Sequence, residues 1–392
     1  MANVLGSTDM LSGSTTQVRS LHSLWMLRLT VGLVILAGAT LFLLGVSWDI
    51  QWHSLIGRDR TLIPPHIVML FGVTLSGLAA LTSVLIESVW ARRSPSLVSS
   101  SSTAFADVFH SSLGVYIAGF SALDAAIAFP LDSYWHSLYG IDVAIWAPFH
   151  VMLLVGLGGV ALGALYTLMS AVPLAARAGA KGAQRVAYLS SIVAFAVMIG
   201  LFAILLFNAM GGMGIIDLGL FIVNVYPFLA ALLFSWALYA AAIAIPWRFA
   251  ATSIVGFYLL LALIMELFVP PATSWLVAVE HLTFREDNPG VSLVAFEWPL
   301  TPILVAIGID IVVGIARRRN WSFGRLAIAL LPALLLACIP SVAFAPLYGL
   351  ALADRIGVAG TLVSLLLGLL GAYLGLWFGK QMGTALRQGE RV

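Results

Sequence analysis

The chain has 392 residues, 61% of them hydrophobic and only 9% charged, with a formal net charge of +2. Soluble domains carry about a quarter charged residues, so this composition excludes a water-soluble globular protein, and the near-neutral balance argues against a nucleic-acid partner. The single cysteine, Cys338, excludes an internal disulfide framework and cysteine-ligated metal clusters.

Residues 1–23 are polar and rich in Ser and Thr, and read as a cytoplasmic tail. The apolar run from about Leu24 to Val46 is long enough to span a bilayer and has no small-residue cleavage site behind it, so it reads as a retained first helix. Further spans are expected at about 64–88, 108–130, 147–172, 188–210, 217–245, 250–270, 299–316, 324–344 and 357–379. The expected fold class is therefore all-α: a polytopic membrane helix bundle of about ten transmembrane helices, the first four forming two repeated helical hairpins. It divides into the tail (1–23), a four-helix region (24–172), a cytoplasmic loop (173–187) and a C-terminal bundle of about six helices (188–392).

Basic residues set the orientation. Arg19 and Arg28, Arg92 and Arg93, Arg177, Lys181 and Arg185, Arg248, Arg317 to Arg319 with Arg325, and Lys380, Arg387 and Arg391 all fall on one side of ten spans. The positive-inside rule puts that side, and both termini, in the cytoplasm. The other side carries Asp49, His53, Asp59, Asp132, His136, Asp142, Glu280, His281, Glu286, Asp287 and Glu297. On this reading the ligand-type side chains gather at the extracytoplasmic face, while the cytoplasmic face carries orientation charge alone. Residues Ser94 to Thr103 read as a flexible linker between hairpins.

The loops after the first and third spans repeat each other. Asp49 to Asp59 aligns with Asp132 to Asp142 without a gap, and seven of these eleven positions are identical. One residue of insertion later, Pro64-Pro65-His66 matches Pro148-Phe149-His150. Asp and His four residues apart share a helical face, and a hairpin returns the second His beside them. Two imidazoles and a carboxylate suit copper, zinc or iron. The candidate metal ligands are Asp49, His53 and His66 in one copy, and Asp132, His136 and His150 in the other. Asp59 and Asp142 either orient a ligating imidazole or cap the following helix. Taken singly, Asp-x-x-x-His is an ordinary helical ion pair. Four of the seven histidines fall in two matched copies of a charge-poor chain, and ionisable groups near lipid are costly enough to be functional by default. A proton or ion pathway remains the competing use of the same groups. Trp48, Trp52, Trp135 and Trp146 read as interfacial anchors.

At this motif, over roughly residues 45–155, the chain resembles the C subunit of the copper membrane monooxygenases, the particulate methane and ammonia monooxygenase family. The resemblance rests on Asp49, Trp52-His53, Arg58-Asp59 and Pro64-Pro65-His66, and on Asp132, His136, Pro148 and His150. Asp132 stands where the family has Asn. The resemblance implies two neighbouring copper sites, on Asp49/His53/His66 and Asp132/His136/His150. It further implies monooxygenase chemistry on a small apolar substrate, and assembly with partner subunits, one of them bearing a cupredoxin domain. Its setting would be a bacterial plasma membrane. The alternative kept beside it is a non-catalytic metal-binding or metal- or ion-transporting membrane protein.

The C-terminal half carries fewer signals. Asn208, Asp217 and Asn224 fall near outer helix ends, Glu266 lies late in the seventh span, and Asp310 is expected to face the bundle interior. Gly211, Gly212 and Gly214 mark a tight turn or close packing. The loop from Thr273 to Glu297 reads as a solvated cap, with Glu266, Glu280 or His281 as a further ligand or gate being the competing reading.

Overall fold

The structure is a computed structural model. It describes residues 5–57, 60, 62–93, 101–140, 146–210, 214–285, 290–298, 300, 302–336 and 353–388, with backbone only for 5–20, 207–210, 297, 336, 353–356 and 388. Arg58, Asp59, Asp142, Glu286, Asp287, Gly211, Gly212 and Cys338 lie outside the described residues, as do the side chains of Asn208 and Glu297.

The helices are α1 (Leu5–Leu55), α2 (Pro64–Arg93), α3 (Leu113–Tyr139), α4 (Pro148–Arg177), α5 (Lys181–Met210), α6 (Tyr226–Ala244), α7 (Ala250–Val279), α8 (Leu293–Glu297), α9 (Pro302–Arg319), α10 (Phe323–Leu336) and α11 (Ala353–Gln388). Eight of these are long and apolar enough to cross a membrane. In hydrocarbon only a helix satisfies every backbone N–H and C=O within one segment, which is why near-continuous apolar runs fold this way. Their outer faces are apolar, as in the stripe Leu78, Leu81 and Leu85 on α2, while Ser76, Ser83 and Glu87 of the same helix are wholly buried. Apolar outside and polar inside is the arrangement of an integral membrane helix bundle.

Several ends differ from the sequence reading. The supposed polar tail continues α1 back to Leu5, a stretch that contains no proline to stop a helix. The third span starts at Leu113 because Phe109–Ser111 (β2) pairs with Thr103–Phe105 (β1) in an antiparallel hairpin. Thr103, expected in a linker, therefore belongs to a strand. The sixth span starts at Tyr226, after a second hairpin pairing Ile215–Asp217 (β3) with Ile222–Asn224 (β4). There Asp217 accepts the Gly219 N–H at 2.9 Å to form the turn, and Asn224 Oδ1 accepts the Tyr226 N–H at 2.8 Å. The seventh span does not stop at Pro270-Pro271. Helix α7 runs on to Val279, and the Thr273 hydroxyl donates to the Val269 carbonyl at 2.8 Å beside the prolines.

Close helix packing rests on small residues. On α11, Gly371, Gly375, Gly379 and Gly383 repeat every four residues, and a Cβ on any of them would overlap backbone or side-chain atoms of α6. At Gly379 it would lie 2.7 Å from the Trp236 carbonyl oxygen. This is the small-xxx-small seam of membrane helices, and it fastens the end of the chain to its middle. Gly114 and Gly163 similarly bring α3 and α4 together, and Gly38 and Gly72 do so for α1 and α2.

Two charged residues in the spans have structural partners. Arg28, expected to be an orientation charge, is 1% exposed and donates to Glu87 of α2 at 2.8 Å. Ser83 and Ser111 also donate to Glu87, at 3.3 and 3.0 Å. The face is thus not orientation charge alone, because burial in apolar surroundings requires a partner for each charge. Asp310 does face the interior. It accepts the Ala251 and Thr252 N–H groups at 3.2 and 2.8 Å and the Thr252 hydroxyl at 2.7 Å. These are orphan donors at the start of α7, so Asp310 serves as a cap supplied from another helix.

Candidate metal centre

Helix α1 ends two residues after His53, and α2 opens at Pro64. Proline at the start of a helix costs no hydrogen bond, because those first N–H groups have no intrahelical acceptor. Pro64 and Pro65 therefore fix the entry of α2 and set His66 against the last turns of α1. Helices α3 and α4 do the same with Asp132, His136, Pro148 and His150.

The two triads form as the spacing predicts. Asp49 Oδ1 lies 3.4 Å from His53 Nε2 and 3.0 Å from His66 Nε2. In the second triad, Asp132 Oδ2 lies 3.2 Å from His136 Nε2, and Asp132 Oδ1 lies 3.3 Å from His150 Nε2. The histidine rings are 5.9 Å apart in each pair, tilted by 35° in the first and 46° in the second. Within each triad one ligand atom per residue falls within 4.8 Å of the others. Metal–N and metal–O bonds of about 2.0–2.1 Å in tetrahedral geometry separate neighbouring ligand atoms by about 3.3 Å. The Asp–His separations of 3.0–3.4 Å meet that figure. Asp49 Oδ1 and Asp132 Oδ1 are buried, yet neither accepts a hydrogen bond of normal geometry. Buried acceptors are nearly always paired. Each carboxylate faces two imidazole nitrogens, so three residues able to ligate a cation converge at each triad. On both counts the residues fit a metal ion.

Both triads line one open cavity of about 610 Å³. Its apolar wall includes Met69, Leu70, Phe129, Phe149 and Leu153. Phe129 reaches from the second hairpin to the first and meets His66 edge-on at 6.2 Å between ring centroids. Arg60, Ser133 and Ser137 supply the polar rim.

The surroundings of the triads differ. At the first, Gln51 sits on α1 between the two α1 ligands and is wholly buried. It donates to the Val291 carbonyl at 3.0 Å and accepts the Leu293 N–H at 2.8 Å. The Arg285 N–H donates to the Leu55 carbonyl at 2.9 Å, Ser292 N–H donates to Glu266 at 2.8 Å, and Arg60 pairs with Glu280. Residues 280–285 and 290–293 therefore form a strap across the end of α1. Gly57, at φ +65°, lets the chain turn beneath Arg285, where a side chain would collide with the guanidinium. Trp48 and Trp52 are 5% and 1% exposed and belong to the buried core, so they are core residues rather than interfacial anchors. Trp48 meets Phe268 of α7 edge-on. The second triad has no such cover among the described residues. Trp135 is half-buried, Trp146 is 37% exposed, and Tyr134 and Tyr139 project outward.

Glu266, Glu280 and His281 join neither triad among the described residues. Glu266 and Glu280 hold the strap, and His281 occupies a left-handed turn at φ +53°. Sequence reasoning does not single out Gln51, because its partners lie some 240 positions away. Glu87 had a signal: it interrupts an apolar span, where an ionisable residue demands a partner. No family model, curated protein or solved structure matches the chain.

Proposed function

We propose that the chain is a membrane-embedded copper-binding oxidoreductase, a monooxygenase-like subunit acting on a small apolar substrate. The observation that carries the reading is that two like Asp/His/His triads open into one cavity with an apolar wall. Asp49, His53 and His66 hold one ion, and Asp132, His136 and His150 hold the other. Neutral imidazoles with one carboxylate suit copper, with zinc and iron as the other metals of that ligand class. Copper in these positions supplies one-electron chemistry with oxygen. The chain's own residues fix the ligand atoms, present Phe129, Met69 and Leu153 to an apolar substrate, and limit water at the first triad through the strap.

In this reading the first four helices are a duplicated hairpin, and α9 and α10 complete ten crossings. Both termini are cytoplasmic and the triads face the extracytoplasmic side of a bacterial plasma membrane. Electrons enter through partner subunits in an oligomer, one of them bearing a cupredoxin domain. The resemblance at the two motifs supports this assignment, and Asp132 in place of Asn gives the two triads the same ligand set.

Metal analysis of purified protein tests the reading. Wild type is expected to hold copper at both triads, and the His53→Ala, His136→Ala double variant to hold none. Equal, sub-stoichiometric copper in both proteins would end it. Oxygen consumption with a quinol and a short alkane or ammonia then separates an enzyme from the alternative. Metal uptake into vesicles without oxygen use would favour a transporter, a reading favoured only by the closeness of two equivalent sites in one cavity.

A further inference from the structure

The opposite end of the bundle carries a second cavity, of about 280 Å³, where α1, α3, α4 and α11 meet. Its lining mixes polar residues, Thr103, Ser112 and Ser170 among them, with apolar ones such as Met169 and Leu174. Arg177, the last residue of α4, is exposed there, and Arg28 lines it too but is committed to Glu87. Among the described residues Arg177 is therefore the cation of this cavity without a carboxylate partner. The start of α3 also faces it, through Ser112, Leu113 and Gly114. Ser112 occupies the capping position of that helix but makes no capping hydrogen bond. It is 3% exposed, and its hydroxyl has no hydrogen-bond partner among the described residues. A buried hydroxyl left unpaired beside an arginine and a helix N-terminus is an arrangement for an anion.

The cavity does not end in protein. Tyr166 and Ala385 line both it and an open groove of about 540 Å³. The groove is apolar, walled by Leu162, Leu232, Trp236, Phe378 and Met382 of α4, α6 and α11. From Arg177 to Leu162 the axis of α4 covers about 22 Å, at 1.5 Å per residue. One leaflet contributes about 15 Å of hydrocarbon, so polar cup and apolar groove together match a headgroup and its acyl chain.

We propose that this end of the bundle binds one anionic glycerophospholipid, its phosphate held by Arg177, Ser112 and the first N–H groups of α3, and an acyl chain lying in the groove against Trp236 and Phe378. A free phosphate would use the cup but not the groove. The site is remote from the two metal triads and independent of what they do.

Native mass spectrometry of the delipidated full-length protein in detergent tests this, with phosphatidylglycerol and phosphatidylcholine of identical chains as probes. One phosphatidylglycerol is expected to bind in preference to phosphatidylcholine by about fivefold or more, the scale of one surface cation acting on an anionic lipid. Arg177→Gln, at an exposed position where folding is safe, is expected to remove that preference, and Trp236→Ala to weaken both lipids alike. Three results would overturn the proposal. They are equal binding of the two lipids to wild type, an unchanged preference in Arg177→Gln, and displacement of phosphatidylglycerol by glycerol 3-phosphate at similar concentration, which would make the cup a site for soluble phosphate.

Discussion

The α1–α2 and α3–α4 hairpins carry the same ligands at the same spacing, yet the protein holds them differently. The first is tied at both ends, by the Arg28–Glu87 pair near one end and by the strap residues Val291 and Leu293 at the other. The second is held by the packing of Gly114 and Gly163 along its length, and no strap covers its triad end among the described residues. Two of the three ligand pairs differ the same way: Asp49 is 16% exposed and Asp132 25%, His66 13% and His150 25%, while His53 and His136 are alike at 13% and 11%. Ligand identity and helix geometry make a triad, but its shelter comes from elsewhere in the chain.

The largest break in this comparison is expected from Glu87→Ala. It leaves Arg28 buried without a partner, which costs about 3–5 kcal/mol. Denaturant unfolding in detergent should register the loss, and a variant as stable as wild type would mean that water reaches Arg28. Next come the ligands. His53→Ala should empty the first triad only and His136→Ala the second only, each lowering affinity at its own triad by more than about 100-fold. That exceeds the 10- to 100-fold typical of residues that merely support a ligand. Copper titration of the two single variants checks this, and loss of both ions in either one would show that the triads bind as a unit. Gln51→Leu is a subtler intervention. It removes the partner of the part-buried Val291 carbonyl and Leu293 N–H and is expected to weaken the first triad about tenfold. The second triad should be unaffected, so an equal loss at both would erase the distinction drawn here.

How much of this could be read from the sequence depends on the range over which each interaction acts. Asp49 and His53, or Asp132 and His136, are four residues apart, so helix periodicity alone places them together, and the prolines before His66 and His150 mark where the returning helix begins. The apolar runs likewise announce the long helices. Their ends were less legible. Apolar Phe109 and Ile222 look like span residues, and only strand pairing with neighbours takes them out of the helices. Trp48 and Trp52 look like interfacial anchors for a similar reason: burial under α7 is a contact between distant segments, invisible to composition. The strap was the least legible, because Glu280 and Val291 acquire their roles only when α7 brings them over α1. The glycine seam of α11 was available as spacing, but its partner helix was not.

The smallest effect expected is at Arg60 and Glu280, and it bears on what the strap is for. Arg60 is 70% exposed at its side chain, so its ion pair with Glu280 stands in water-like dielectric. Pairs of this kind contribute about 0–1 kcal/mol and weaken as salt rises. Glu280→Gln should therefore leave stability and first-triad affinity within about fivefold of wild type. Arg60 also lines the cavity that both triads share. Released from Glu280, its guanidinium would lie nearer the path of an incoming cation and repel it, so copper should load more slowly at low ionic strength and regain the wild-type rate in salt. Stopped-flow loading at two salt concentrations separates these outcomes. A slower rate that salt restores makes the pair a device that keeps a positive charge away from the cavity mouth. An unchanged rate would leave the Gln51 bonds, the Arg285–Leu55 backbone bond and the Trp48–Phe268 contact as the ways the C-terminal half shapes the first triad.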